Sequence, residues 1–445
     1  MNGKMLKRSR FNVYFKKNGN AYLYNSLTGA FVLLEEDFSK FYENEDLWYN
    51  DKDKLEEFKK GGFIVEAEFD EVKYYYLRVI DALWRSNDRH SFTILTTTGC
   101  NFACPYCYEA QYGVRGKYMD RITQEMVVNF IEKRIKARPK KVLSLTFYGG
   151  EPLLNKEAIF FIGEKLKEIA TQMDMEFRSD IVTNGYLLTP DLAMELHKRV
   201  NLISAQITVD GPEEVHNIMR PLKGGGKTFN VIMKNIKDIL DNVDNFFINC
   251  RSNLNKKTYK YYEELLQYVD LQIRSKVKNP YNLSCYPYFV TGEKEASYTL
   301  SDGDLFTTEE FGKIYGQYLL PLLLKYKHIK PENIIPEPKF SLCMAPTPDS
   351  LLIEPDGSLQ KCWDIVGMKK YSIGDIWNGV DVARETKWLG YEFWDEKCSE
   401  CNMLPVCSGG CAKNVIVDKE RVCDFRKFAI HDILILAADS KVDGD

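Results

Sequence analysis

The chain of 445 residues has no apolar run long enough to cross a membrane as a helix, which takes roughly 18 residues. The apolar stretch 319–324 is short and contains Pro321, and the stretch 430–438 predicts a buried terminal helix or strand. Residues 1–10 are basic with no apolar segment behind them, so they do not predict a secretory signal. We therefore expect a cytoplasmic protein that does not bind a membrane.

Histidine is scarce, and positive charge is not in excess. None of the five histidines is paired with another at the spacing of a metal site, and the net charge of −4 does not favour a nucleic-acid-binding surface. Cysteine is absent from residues 1–99, although the whole chain has 12. Because no secretory signal is predicted, we expect these cysteines to be reduced and to bind metal instead of forming disulfides.

The first cysteines form one tight group, Cys100, Cys104 and Cys107, directly after the β-branched run 93–98. A 4Fe-4S cluster is commonly held by four thiolates, so three leave one iron open to a small molecule. On spacing alone, a zinc site completed by a distant fourth ligand is the alternative.

This CxxxCxxC loop resembles the signature of the radical S-adenosylmethionine (radical SAM) enzymes. The resemblance implies that the open iron binds the amino and carboxylate groups of SAM. It also implies that SAM is cleaved to a deoxyadenosyl radical, which removes hydrogen from an unactivated C–H bond. By position in the motif, Tyr106 is expected near the adenine.

The chain after residue 88 alternates strand and helix patterns, which predicts a parallel sheet with outer helices. Together with the resemblance, this predicts an α/β fold, a partial (β/α)6 TIM-like barrel with ligands at the carboxyl ends of its strands. The six predicted strands are 92–97, 142–148, 181–183, 203–209, 246–251 and 283–289.

Two further motifs fall at predicted strand ends. Gly149, Gly150 and Glu151 match the GGEP motif of the family; glycine lets backbone approach a ligand, and Glu151 is expected to accept hydrogen bonds from the methionine ammonium. By resemblance, Asn184 and Thr208 are candidates for binding the ribose or carboxylate of SAM.

Arg220 is a possible further contact to SAM, and a surface salt bridge is the alternative role for it.

Residues 1–88 predict a separate module. A hairpin over 11–24, helical patterns over 32–41 and around 55–58, and a strand at 63–65 suggest a winged-helix-like fold. Its place before the barrel resembles the precursor-recognition domain of enzymes that modify ribosomally made peptides, which bind a leader peptide as an added strand. A plain structural extension and a DNA-binding winged helix are the alternatives.

The remaining domains are predicted as a barrel over 89–310, a helical bridge over 311–342 and a cysteine-rich domain over 343–445. The last of these has seven cysteines whose spacing resembles the SPASM extension of radical SAM proteins, which holds two auxiliary 4Fe-4S clusters and would bring the total to three. By position, the inner cluster would be bound by Cys343, Cys362 and Cys411, and the outer one by Cys398, Cys401, Cys407 and Cys423. A pair of zinc knuckles is the alternative.

The inner set lacks a fourth thiolate. Cys285 from the barrel, Asp349 as an oxygen ligand, and an open iron that binds a substrate cysteine are the three possibilities. Asp364, two positions after Cys362, is a candidate base that removes a substrate proton.

The resemblance implies a radical SAM/SPASM maturase of a ribosomally made precursor peptide, reduced by a flavodoxin or ferredoxin-type protein. The favoured product is a thioether of the ranthipeptide or sactipeptide type. A carbon-carbon cross-link of the streptide kind, formylglycine formation as in sulfatase maturation, and a non-enzymatic iron–sulfur electron carrier are the alternatives.

Overall fold

The computed structural model describes residues 5–107, 109, 116–290 and 302–442. Its N-terminal part has two small antiparallel sheets, in which β1 pairs with β5 and β3 lies between β2 and β4. The strands are β1 (Leu6–Arg8), β2 (Asn12–Lys17), β3 (Asn20–Asn25), β4 (Phe31–Leu34) and β5 (Ile64–Glu66), and the helices are α1 (Glu36–Glu43), α2 (Lys52–Lys60) and α3 (Glu71–Trp84).

The predicted hairpin is formed by β2 and β3. Lys17 lies opposite Asn20, and the two residues between them, Asn18 and Gly19, have positive φ angles of 52° and 83°. Two successive residues with positive φ are what a two-residue type I′ turn requires. The Asn-Gly pair therefore fixes the register of this hairpin.

The predicted helix over 32–41 is wrong in its first half. Phe31–Leu34 forms strand β4, in which Val32 lies opposite Leu23 of β3, and the helix begins only at Glu36. Cross-strand packing of these apolar residues decides their conformation, although their spacing also fits a helix.

The centre of the molecule is one sheet in the order β11-β10-β9-β8-β7-β6-β12-β13, in which β6 to β11 are parallel neighbours. These are the six predicted barrel strands, so the partial-barrel prediction is confirmed. Their bounds are β6 (Arg89–Thr97), β7 (Val142–Gly149), β8 (Glu176–Thr183), β9 (Leu202–Thr208), β10 (Phe247–Leu254) and β11 (Leu283–Phe289).

Helices follow the strands and cover the outside of this sheet. They are α4 (Arg121–Ala137), α5 (Lys156–Gln172), α6 (Pro190–Val200), α7 (Glu213–Met219), α8 (Phe229–Asn242) and α9 (Tyr262–Tyr268). In β7, Leu143, Leu145 and Phe147 are buried in the main hydrophobic core, whereas Ser144 and Thr146 alternate with them and are less buried. The opposite face of the sheet therefore presents polar side chains to the barrel lumen.

The cysteine-rich part shares the central sheet. Strand β12 (Ser350–Ile353) pairs in parallel with β6, and β13 (Leu359–Gln360) pairs with β12. One continuous sheet therefore contains strands from both sides of the predicted domain boundary at residue 343. The remaining elements are β14 (Gly374–Asp375), β15 (Gly379–Val380), α10 (Thr308–Ile314), α11 (Leu320–Lys325), α12 (Val382–Leu389), α13 (Glu396–Ser399), α14 (Leu404–Cys407) and α15 (Arg426–Val442).

The N-terminal module packs on the cysteine-rich part. The Tyr75 hydroxyl of α3 donates a hydrogen bond to the Lys339 carbonyl at 2.7 Å, and the Tyr75 ring stacks on Trp394 with centroids 5.2 Å apart. Of the helices in the described ranges, none combines the length and apolar content needed to cross a bilayer.

Candidate active site

The carboxyl ends of the parallel strands surround a cavity of about 240 Å³. The cavity is lined by residues from the cysteine loop, from the ends of β7 to β11 and from the cysteine-rich part. The predicted site residues among them are Cys100, Cys104, Tyr106, Cys107, Gly149, Gly150, Asn184, Thr208 and Asp364. The structure therefore brings together nine predicted residues from five separate parts of the sequence.

The cysteine loop is held against the segment that follows α7. The backbone N–H of Ala103 donates to the Pro221 carbonyl at 2.9 Å, and that of Lys223 donates to the Asn101 carbonyl at 2.8 Å. Phe102 lies between the cysteines and is almost completely buried in the main core. These contacts fix the loop on two sides and turn its thiols to the cavity.

The two glycines allow the end of β7 to touch the strand that precedes the cysteine loop. A Cβ atom on Gly149 would lie 2.1 Å from the Thr97 carbonyl oxygen, and one on Gly150 would lie 2.4 Å from the Gly99 carbonyl oxygen. Gly149 also has a φ of 145°, which side chains disfavour. Only glycine fits at these two positions, and bare backbone is left facing the cavity.

Glu151 is not among the residues that line the cavity, and its predicted contact with the methionine ammonium stays a prediction. Its carboxylate is fully buried and accepts hydrogen bonds from the backbone N–H of Leu153 at 3.1 Å, from the backbone N–H of Asn184 at 2.8 Å and from the Thr183 hydroxyl at 2.8 Å. Burial raises the pKa of Glu151, and these hydrogen bonds oppose the rise. The residue ties the end of β7 to the end of β8 and so positions Asn184.

Tyr106 belongs to a buried polar network behind the cavity. Its hydroxyl donates a hydrogen bond to the carboxylate of Asp210 and accepts one from the guanidinium of Arg220. The Arg220 guanidinium lies 3.8 Å from the Asp210 carboxylate, and the backbone N–H of Asn253 also donates to Asp210, at 2.8 Å. Arg220 is therefore engaged inside the protein and is not the exposed salt-bridge residue of the alternative interpretation.

Asp210 was missed by the sequence analysis as a site residue. Its signal was a carboxylate at the carboxyl end of a predicted strand, followed by Gly211. Burial raises the pKa of Asp210, and the charge of Arg220 opposes the rise. The pair keeps a charged network within reach of the cysteine loop.

The inner cysteines lie together beside the cavity. Burial raises the pKa of the Cys362 thiol, and the negative charges of Asp364, Cys411 and Cys343 raise it further, so these groups lie near one another. Asp364 also lines the active-site cavity. The segment 362–364 thus joins the inner cysteine group to the cavity.

Trp363, which the sequence analysis also missed, anchors this segment. Its ring stacks on Tyr148 with centroids 4.8 Å apart, and its indole N–H donates to the Thr93 hydroxyl at 3.0 Å. Both partners belong to barrel strands, so Trp363 fixes the cysteine-rich part against the barrel at the active site.

Two predictions for a fourth inner ligand are wrong. Asp349 is buried at the amino end of β6, where its carboxylate pairs with Lys140 at 2.6 Å and Arg138 at 3.1 Å and its carbonyl accepts from Ser91. That end of the sheet is opposite to the cavity.

Cys285 is buried in the main core. It lies beside Cys250 of the neighbouring strand, which it contacts. Neither residue is placed to complete the inner set, and the open position stays a prediction.

The four outer cysteines surround a second cavity. Cys398, Cys401, Cys407 and Cys423 line about 350 Å³ of space near α15. The ammonium of Lys427 lies 3.8 Å from the Cys423 sulfur as a hydrogen-bond donor. This cavity lies apart from the first, next to the N-terminal module.

The cysteines suit polynuclear clusters better than single ions. Within the described residues, no three His, Cys, Asp or Glu side chains converge closely enough to hold one metal ion. The loop cysteines instead line the cavity of about 240 Å³, and the outer cysteines line that of about 350 Å³. Burial raises the pKa of Cys100 to about 12 and of Cys104 to about 11, so thiolates here need the positive charge of bound metal. The residues present therefore fit iron–sulfur clusters.

The comparisons with known proteins agree with this site. Residues 94–269 match the model of the radical SAM superfamily. The radical SAM cyclopropyl synthase TigE of Paramaledivibacter caminithermalis is 23% identical over 98% of this chain and 97% of its own.

Two solved structures have a similar fold. That of anSMEcpe with bound AdoMet (SAM) covers 80% of this chain and 94% of its own, with a TM-score of 0.58 and 18% identity. That of Streptococcus suis SuiB bound to precursor peptide SuiA covers 94% of this chain and 97% of its own, with a TM-score of 0.51 and 15% identity. Residues 94–269 thus form a domain of the radical SAM superfamily, whose members are enzymes that use SAM and a 4Fe-4S cluster.

Proposed function

We propose that this enzyme cross-links a ribosomally made peptide by joining a cysteine sulfur to a carbon of the same peptide. The observation that carries the proposal is the position of the segment 362–364. It contributes Cys362 to the inner cysteine group and Trp363 and Asp364 to the lining of the active-site cavity. A peptide in this cavity would therefore lie between the SAM site and the inner cysteines.

A peptide substrate is supported by the relatives. SuiB was solved with its precursor peptide, and its structure covers 94% of this chain. A sporulation killing factor maturation protein, SkfB of Bacillus subtilis, is 29% identical over 32% of this chain. These similarities favour a maturase over an electron carrier, which would need no SAM site.

The N-terminal module offers a place for a leader peptide. Strand β4 is the end strand of its sheet among the described residues, and an apolar groove of about 230 Å³ runs beside it. The groove is lined by Val32, Leu33, Leu34, Glu35, Phe38, Glu57, Phe58 and Phe63. A leader that pairs with β4 would gain backbone hydrogen bonds and would place apolar side chains in this groove.

The chemistry requires the removal of one hydrogen atom, one proton and one electron from the peptide. SAM bound at an iron–sulfur cluster supplies, after one-electron reduction, the deoxyadenosyl radical that takes the hydrogen atom. Asp364 would accept the thiol proton, since it lines the cavity and burial raises its pKa. The remaining electron would need a one-electron acceptor of the iron–sulfur class, and the new sulfur–carbon bond would balance the two lost hydrogens.

We assign three 4Fe-4S clusters to the three cysteine groups. The loop cysteines Cys100, Cys104 and Cys107 would hold the SAM-binding cluster, and the inner and outer groups would hold one auxiliary cluster each. Gly149, Gly150, Asn184 and Thr208 would contact SAM from the strand ends. The reductant would be a flavodoxin or ferredoxin-type protein in the cytoplasm.

A carbon-carbon bond is the second candidate. The similarity to the cyclopropyl synthase TigE extends over 98% of this chain and supports ring closure between carbons. A three-cysteine inner group with room for a substrate thiol favours the thioether. Formylglycine formation, the function of sulfatase-maturing relatives, has less support because the N-terminal module would then be without a role.

Co-expression with candidate precursor peptides and mass spectrometry tests the proposal. A thioether and a carbon-carbon bond both remove two hydrogens, but only the thioether also protects the cysteine from alkylation by iodoacetamide. Formylglycine would instead be seen as loss of the sulfur. A set of candidate peptides that returns with unchanged mass, while the enzyme cleaves SAM, would contradict the proposal.

A further inference from the structure

Arg251 is a cation in the active-site cavity that forms no ion pair with another described residue. The cavity has one other arginine, Arg220, whose charge is balanced by Asp210 at 3.8 Å. A guanidinium that is partly withdrawn from water is stable only with an anionic or polar partner. Arg251 therefore has the charge and the position to receive a ligand.

The guanidinium of Arg251 is held in a fixed plane. Its Nε donates a hydrogen bond to the Asn253 side-chain oxygen at 2.9 Å, and its central carbon lies 4.6 Å from the centroid of the Tyr288 ring. Stacking on an aromatic ring and side-chain hydrogen bonds with Asn253 and Tyr286 orient the fork of the guanidinium. Such a fork matches the two oxygens of a carboxylate.

Arg251 lies between the cysteine loop and the last barrel strand, because its partner Asn253 also donates to the Tyr106 hydroxyl at 3.4 Å. It lies on β10 beside Thr208 of β9, but its side chain leans toward Tyr288 of β11, the far end of the parallel strands. The predicted SAM contacts lie on the other side, from β7 to β9. The guanidinium of Arg251 lies over Tyr288 of β11, beyond the strands that carry these contacts, and we assign it to the second reactant.

The cysteine-rich part closes this side of the cavity. Asp364 of the cysteine-rich part and Arg251 both line the cavity, and no ion pair joins them among the described residues. A bound carboxylate would be attracted by Arg251 and kept away from Asp364.

We infer that Arg251 selects a peptide substrate with an acidic side chain, aspartate or glutamate, next to the reacting residue. The inference rests on the proposed function, because it assumes that a peptide enters this cavity. An amide of the same shape offers one acceptor in place of two and turns an NH2 group toward the arginine donors. Discrimination of about tenfold or more against the amide is expected from a charge-assisted pair of hydrogen bonds.

Binding of two small probes tests this role. N-acetyl-aspartate N-methylamide and N-acetyl-asparagine N-methylamide are titrated calorimetrically into the reconstituted, SAM-loaded enzyme. The acidic probe should bind about tenfold more tightly than the amide to the wild type. Arg251→Gln should bring this ratio close to one, and Arg251→Lys should retain part of it, because lysine keeps the charge and loses the fork.

Arg178→Gln is the matched control, because Arg178 pairs with Glu176 and does not line the cavity. This variant should keep the wild-type ratio. Equal binding of the two probes to the wild type, or a ratio that survives in Arg251→Gln, would overturn the inference. A tenfold loss of SAM affinity in Arg251→Gln with the ratio unchanged would also overturn it, by assigning Arg251 to the SAM carboxylate.

The binding ratio is independent of turnover, so the two proposals can fail separately. Discrimination that depends on Arg251 with no cross-linked peptide product would leave the inference standing and remove the proposed function. A cross-linked product formed equally well from acidic and amide versions of the peptide would support the proposed function and overturn the inference about Arg251.

Discussion

Trp363 stacks on Tyr148 with ring centroids 4.8 Å apart, and this contact joins the cysteine-rich part to the barrel directly beside the glycine turn at 149–150. We predict that Trp363→Ala loosens the wall of the active-site cavity without removing a cluster ligand. The expected result is SAM cleavage with less product: more deoxyadenosine formed per cross-linked peptide.

The measurement is the ratio of deoxyadenosine to product by liquid chromatography and mass spectrometry. Trp363→Phe is the control, because phenylalanine keeps the stacking and loses only the hydrogen bond to Thr93. An unchanged ratio in Trp363→Ala would show that the contact does not shape the cavity.

Gly150→Ala is expected to prevent assembly of the cluster at the first cysteine loop. The added methyl group would lie 2.4 Å from the Gly99 carbonyl oxygen, so the loop must move. Iron content and the visible absorbance of the reconstituted protein measure the loss. Gly225→Ala is the control for backbone strain without a clash, because the position has a φ of 90° and nothing lies within 4 Å of the new methyl group. Full cluster content in Gly150→Ala would contradict this account of the turn.

Lys427→Gln is predicted to lower the reduction potential of the outer cluster by tens of millivolts. The ammonium donates to the Cys423 sulfur at 3.8 Å, and a hydrogen bond and a positive charge both favour the reduced cluster. Redox titration followed by EPR measures the shift. Lys397→Gln changes a charge in the lining of the same cavity, where Lys397 makes no described hydrogen bond to sulfur, and should produce a smaller shift. Equal shifts would assign the effect to charge alone.

His328 should make the fold less stable in mild acid. Burial lowers its pKa from 6.5 to about 3, and its Nδ1 accepts a hydrogen bond from the Cys285 N–H at 3.2 Å. Because the folded pKa lies below the unfolded one, the unfolded chain binds the proton first, and stability falls as pH drops below about 6.5.

The expected loss from this one group is about 1.4 kcal/mol between pH 7.5 and 5.5. Denaturant unfolding of the wild type and of His328→Asn at both pH values measures it as a difference. His197→Asn is the control, since His197 lies on the surface side of α6 and is partly exposed. A wild type and a His328→Asn variant with the same pH dependence would contradict the assignment.

Leu33→Ser is expected to weaken the binding of a leader peptide about tenfold, from the loss of one buried leucine side chain. Leu33 is 44% exposed and lines the groove beside β4. Fluorescence anisotropy with a labelled leader provides the affinity. Leu271→Ser alters a leucine that is 58% exposed elsewhere on the surface and should have no effect. Undiminished binding in Leu33→Ser would place the leader at another surface.

The sequence was sufficient for the barrel because its signals are local. Each strand is a short apolar run followed by a glycine or a polar residue, and the spacing of the cysteines can be read directly along the chain. The position of β12 beside β6 was not predictable, since it depends on pairing between Leu351 and Phe92, which are far apart in sequence. The register of such distant pairs leaves no local pattern.

The sequence also does not predict which partners a buried carboxylate has, and so does not predict its role. Glu151 and Asp210 both follow strands in the same way, yet one is enclosed by N–H and hydroxyl donors and the other is paired with Arg220. The errors at Asp349 and Cys285 have the same origin, because the alternation of side chains across the sheet and the end of the strand at which a residue lies decide what it can reach.

The central claim is that the cavity at Cys100, Cys104 and Cys107 binds a cluster and cleaves SAM. The most direct test is to incubate the anaerobically reconstituted enzyme with SAM and dithionite and to measure deoxyadenosine. We predict steady formation of deoxyadenosine by the wild type, with about twelve irons per chain if all three cysteine groups hold 4Fe-4S clusters. Cys107→Ala should form none. Zinc in place of iron, or no deoxyadenosine from the iron-loaded wild type, would contradict the account.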